Sequence, residues 1–153
     1  MKEAERIARQ LKAAFEGDAW HGPSVLETLQ GVTAERALTR PLAKAHSIWE
    51  IVLHISSWQK AVRMRVEGNE VETPEDGNWP EVKDKSPQAW ENALQNLKES
   101  YRKLLALIQK LPDSDLDKNP PGSDNSNYIQ LHGVIQHDLY HAGQIAILKK
   151  VKP

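Results

Sequence analysis

The chain has 153 residues, with 20 basic against 21 acidic side chains and a formal net charge of −1. That length suits one domain spanning 1–153, able to bury about 70% of the surface its unfolded form exposes. The charge balance gives nothing to gather phosphate backbones or anionic lipid, so nucleic acid is not an expected partner.

There is no cysteine, which excludes disulfides, thiolate metal sites and a cysteine nucleophile. Any metal must therefore be held by His, Asp or Glu. The opening stretch MKEAERIARQLKAAF carries charges where a signal peptide needs an unbroken apolar run, and no later segment approaches 18 apolar residues. A soluble, cytoplasmic protein without a membrane partner is expected.

From Glu3 to Phe15 the apolar residues Ala4, Ile7, Ala8, Leu11 and Phe15 recur at spacings of three and four, the stripe of a first amphipathic helix. Gly17, Asp18, Gly22 and Pro23 interrupt it. Ser24 to Gln30 has room for a helical turn or two before Gly31, and Thr33 can cap a short piece through Leu38, which Pro41 ends. Ser47-Ile48-Trp49-Glu50 fits a capping box that starts a second long helix. Its stripe is Ile48, Ile51, Val52, Ile55, Val62 and Val66, and Gly68-Asn69 ends it.

Glu70 to Lys85 is a long polar connection broken by Pro74, Gly77 and Pro80, with Trp79 its only large apolar residue. Ser86-Pro87 reads as an N-cap with proline at the first helical position. A third helix then keeps period from Trp90 to Leu111, and Pro112 closes it. A second long loop, Asp113 to Asn127, leads into a fourth helix, Tyr128 to Lys150. Four amphipathic helices with long loops between the second and third and between the third and fourth describe an all-α four-helix bundle.

The fourth helix carries the chemistry. His137 and His141 stand four residues apart, one turn along the same side, beside the apolar residues Leu131, Val134, Ile135, Ala142, Ile145 and Leu148. Two imidazoles at the edge of a core-facing stripe form a metal clamp if a third ligand joins them. The competing reading is a pair of core histidines hydrogen-bonded to neighbours, since H-x-x-x-H without the zincin glutamate is a weak motif. His54, between Ile51 and Trp58 on the second helix, is the candidate third ligand. His21, His46 and His132 have weaker cases: the first falls in a loop, the second precedes a cap and the third lies off the ligand side.

The segment H-D-L-Y-H-A-G-Q-I from His137 to Ile145, His54 within IWEIVLHISSW, W-H-G-P-S from Trp20 to Ser24, and R-P-x-x-x-A-H-S-I-W-E from Arg40 to Glu50 occur in this order. In this the chain resembles the DinB/YfiT-like superfamily over nearly its whole length. The resemblance implies an up-down-down-up bundle holding a divalent metal through His54, His137 and His141. It also implies either a metal-dependent hydrolase or an enzyme that transfers or isomerises with mycothiol or bacillithiol. Ala142 and Gly143 add no positive charge beside the ligands, which weakens the thiol alternative.

Three neutral imidazoles leave the ion its full charge and an open position, which suits either activation of water or coordination of a thiolate. Zinc or nickel is the expected metal. Asp138 and Glu50 are candidates for orienting a ligand or acting as general base. Against this, Glu50 also suits the capping box, and Asp138 could pair with an arginine or a tryptophan N–H. Trp58 and Gln144, each one turn from a candidate ligand, are candidate pocket residues, whereas Trp49, Trp90 and Tyr140 read as core or interface. A non-catalytic metal or small-ligand binder and a purely structural helical module remain as further readings. A homodimer through outer helix faces is expected.

Overall fold

A computed structural model describes residues 1–152. They form helices and loops without a strand: α1 (Glu3–Phe15), α2 (Val25–Leu29), α3 (Ala34–Leu38), α4 (Ile48–Val66), α5 (Pro87–Lys110) and α6 (Asn127–Lys150). The helix starts follow from local chemistry. Ser24 and Ser47 each make a complete capping box, with Glu27 and Glu50 reaching back to the cap N–H, while Thr33, Ser86 and Ser126 each accept from a backbone N–H three residues on. The fourth long helix thus begins at Asn127 under a Ser126 cap.

α1 lacks a cap of its own at Lys2. Asp113, in a 3₁₀ turn over Asp113–Asp115 after α5, accepts from the Glu3 and Ala4 N–H groups at 2.9 and 3.0 Å instead. The loop between α5 and α6 therefore closes the start of α1. At the end of α4 Gly68 takes φ 93°, and the Asn69 backbone and side chain both donate to the Met64 carbonyl.

The stripes expected from the sequence meet in one core. α4 packs on α5 and α6, and α1 packs on the same two helices. Trp49 and Trp90 meet at 5.2 Å with rings tilted 57°, and Phe15 stacks on Tyr101 at 4.0 Å. The Leu148 and Lys149 carbonyls at the end of α6, and that of Val151 just after it, all accept from Arg36 of α3. No helix among the described residues is long and apolar enough to cross a membrane.

On the inner side of α4, three polar residues interrupt the aliphatic stripe: His54, Ser57 and Gln59 are all buried. α6 contributes the buried Asp138 and His141 on its side. His54 and Gln59 meet these residues where α4 packs on α6, whereas Ser57 faces the groove toward α5.

Candidate metal centre

The structure brings His54, His137 and His141 together. One ring nitrogen from each lies within 4.8 Å of the others, a group able to hold a metal ion. The turn of α6 explains their burial. Asp138, His141, Ala142 and Ile145 share the buried face, leaving His137 at its flank, partly exposed.

The outward nitrogens show how each ring is held. His54 Nδ1–H donates to the Asn78 carbonyl, and His141 Nδ1–H donates to Gln144 Oε1 at 2.6 Å. In a neutral imidazole this leaves Nε2 bare on both rings. Burial is the chief cause that drives both rings down to about 4, and for His54 the Asn78 carbonyl opposes it only in part. They are therefore neutral at pH 7, as ligands must be.

His137 Nε2 lies 2.9 Å from His54 Nε2. If His137 carried its proton on Nε2 to satisfy this contact, its Nδ1 would turn a lone pair toward Asp138 Oδ1, 3.8 Å away. Neither of those two buried atoms has a hydrogen-bond partner. With the proton on Nδ1 instead, His137 points a donor at the carboxylate, and three bare Nε2 atoms face one another. A cation among three converging lone pairs satisfies all of them at once; ligands on a tetrahedral zinc with bonds of ~2.05 Å stand about 3.3 Å apart. The donor set and the orphaned pair both fit a divalent metal.

Asp138 is fully buried, and desolvation pushes its carboxyl above the usual range. Its partner is neither an arginine nor a tryptophan, the two alternatives that the sequence suggested. Gln59 Nε2 donates to its Oδ2 at 2.7 Å, and Ser100 of α5 in turn donates to Gln59 Oε1 at 2.8 Å.

Glu50 is engaged at the start of α4. One oxygen accepts from the Ser47 N–H at 2.7 Å, and the other pairs with Arg40. Burial opposes ionisation of Glu50, but the Ser47 and Arg40 donors outweigh it and hold the carboxyl below its ordinary range. The imidazole it approaches is His46, at 3.7 Å.

The long connection after α4 contributes more than its polarity suggests. Trp79 lies between two imidazoles, stacked on His46 at 3.6 Å and on His54 at 3.8 Å, with planes within 11° and 8°. It also meets His141 edge-on at 5.8 Å. Its neighbour Asn78 holds His54 through its carbonyl and accepts from Trp58 Nε1 through its side chain at 2.9 Å. Trp58 stands 6.4 Å from the His54 ring and 6.3 Å from that of His137, with Arg65 over its face.

Two clefts border the site. One of about 410 Å³ reaches His141 and Gln144 under Trp79, and one of about 220 Å³ reaches His137 beside Trp58. A larger polar groove of about 740 Å³ between α4 and α5 touches none of the three histidines.

Comparison with curated proteins finds no match, and neither does comparison with solved structures. The sequence model of the DinB superfamily matches residues 19–145, a span that holds all three histidines together with Trp79 and Asp138, and the chain belongs to that superfamily.

Proposed function

We propose that this protein is a metal-dependent enzyme of the hydrolase type, with His54, His137 and His141 binding one zinc or nickel ion. One observation carries the reading: three imidazoles converge while Asn78 and Gln144 hold two of them, His54 and His141, from behind. When bound to three neutral ligands, such an ion supplies a Lewis acid that activates water or polarises a carbonyl at neutral pH. The protein's own part is to keep His54 and His141 neutral, aim the rings at one another and cover the site. Asp138, fixed by Gln59, orients His137, and Trp79 and Trp58 shield the ligands from bulk water. Glu50 serves the helix cap.

Hydrolysis is favoured over thiol transfer because the cleft beside His141 offers a single cation, Lys44, to a cofactor rich in carboxylates. The up-down-down-up course of the four long helices belongs to the same reading. It is supported by the pairs Glu3–Asp113 and Phe15–Tyr101, which run in opposite senses along α1 and the end of α5, and by His54–His137 and Arg65–Gln130 between α4 and α6.

Metal analysis of the purified chain, with His137→Ala beside it, tests the centre. One zinc or nickel per wild-type chain and none in the variant is the expected result. Wild-type protein that neither carries nor takes up either metal refutes it. A survey of ester and amide substrates, with and without chelator, then tests the reaction class; absence of chelator-sensitive turnover overturns the hydrolase reading.

A further inference from the structure

Single exposed apolar side chains are ordinary, but apolar side chains gathered around one concavity mark a contact site, and three of the exposed large ones in this chain, all within the described residues, stand around one opening. Leu42 of the loop before α4 is 44% exposed, and Tyr140 and Ile147 on the outer face of α6 are 67% and 59% exposed. All three line the cleft of about 410 Å³, whose other walls include Ile51 and Trp79. The cleft also reaches His141 and Gln144, so it touches one of the three candidate ligands, and Trp79, which lines it, stacks on a second, His54. Lys44 is its one charged lining residue.

Resting on the metal-enzyme reading above, we infer that this cleft seats the apolar body of the substrate, and that the substrate is a small amphipathic molecule: an alkyl or aryl chain with one anionic group for Lys44 and its reacting group at the three histidines. The volume lies within the range of about 300–1,000 Å³ usual for small-ligand sites. A second copy of the chain would need about 800 Å² of complementary surface on each partner, whereas this apolar surface folds inward around a concavity. A single cation among apolar walls matches one carboxylate, not the several charges of a nucleotide or a phosphorylated sugar.

The test measures binding of alkanohydroxamates, from acetohydroxamate to octanohydroxamate, to the zinc-loaded full chain by calorimetry. Octanoate on the metal-free chain serves as a probe that needs no metal. Affinity in the hydroxamate series is expected to rise about fourfold per methylene until the cleft is full. The rise should flatten in Leu42→Asp and Ile147→Asp, whose exposed positions leave zinc content unchanged. Octanoate binding should weaken several-fold in Lys44→Gln.

Acetohydroxamate binding with no gain along the series would overturn the cleft assignment and leave the metal centre standing. Failure of acetohydroxamate to bind, with octanoate still bound in a Leu42-dependent manner, would remove the metal reading and keep the cleft. Absence of binding by either probe, together with self-association that Ile147→Asp abolishes, would assign the face to a second copy and overturn the inference.

Discussion

Gln59 donates the one hydrogen bond that Asp138 receives, at 2.7 Å, and both residues have no exposed surface. Replacing Gln59 by leucine keeps the volume similar but removes the donor. Asp138 Oδ1 has no hydrogen-bond partner, His137 Nδ1 standing 3.8 Å away, so the variant leaves the buried carboxylate without a hydrogen bond and with only that longer approach to His137. Ser100 loses its acceptor too, but its hydroxyl retains the Leu97 carbonyl at 2.9 Å. Breaking one side of a buried charged pair costs about 3–5 kcal/mol, and a neutral pair about 1–3, so about 3 kcal/mol is expected. With an m value of about 2 kcal/mol/M, the urea midpoint should fall by about 1.5 M, read by tryptophan fluorescence on metal-free protein.

Gln59→Glu gives a second measurement. It keeps an acceptor for Ser100 but opposes Asp138 with another carboxylate, so the two must share a proton. Its deficit should shrink as the pH falls and the shared proton is supplied, and the leucine variant's should shrink only by the part that comes from the unpaired charge of Asp138. A leucine variant within about 0.5 kcal/mol of wild type would show that Asp138 does not depend on Gln59, and the account of how His137 is oriented would fail with it.

The pH dependence of metal-free stability has a definite direction. The unfolded chain binds protons on His54 and His141 near 6.5, whereas the folded chain resists until about 4. Stability should therefore be lost as the pH falls from about 6.5 to about 4, with a slope approaching two protons, and a flat urea midpoint across that window would contradict the buried, neutral rings. Trp79→Ala removes two stacked faces and should cost about 1–3 kcal/mol. Because burial is the chief cause of the low His54 value, its titration, followed by NMR, should move up toward 6.5; an unmoved titration would mean that Trp79 does not cover the ring. Arg36→Met should cost about 1–3 kcal/mol in thermal or urea unfolding and expose the last turn of α6 to hydrogen exchange; protection unchanged at that end would show the carbonyls to be satisfied without it.

The helices were legible because each carries its own instructions. Apolar spacing marked the faces, and Ser47, Thr33 and Ser86 marked starts that need only a hydroxyl and a nearby N–H. His54, His137 and His141 stood out because each borders a core stripe. What the sequence withheld is tertiary. Nothing local tells that Asp113 closes α1 from the far end of α5, or that Asn78 and Trp79 fold back onto His54. A tryptophan in a polar connection is a signal in retrospect, since an indole so placed is costly to leave in water. Gln59 had a signal as well. It falls four residues after Ile55 and three before Val62, inside the buried stripe, just as Asp138 falls four after Val134 and four before Ala142. Two polar residues at core positions of different helices are natural partners, because neither can be buried alone cheaply.

The three rings are oriented from three different sources, and this divides the centre's dependence on the fold. Gln144 holds His141 from one turn along the same helix, so that contact can form as soon as α6 does. His137 stands 3.8 Å from Asp138, which is held by Gln59 of α4 and through it by Ser100 of α5, so on the proposed reading its setting requires three helices to be packed. His54 depends on Asn78 and Trp79, so its setting requires the α4–α5 connection to close as well. A cation held by all three is bound to the last of these events as tightly as to the first. On the proposed metal-binding reading, metal affinity would therefore measure the closing of a loop, and not only the presence of three histidines.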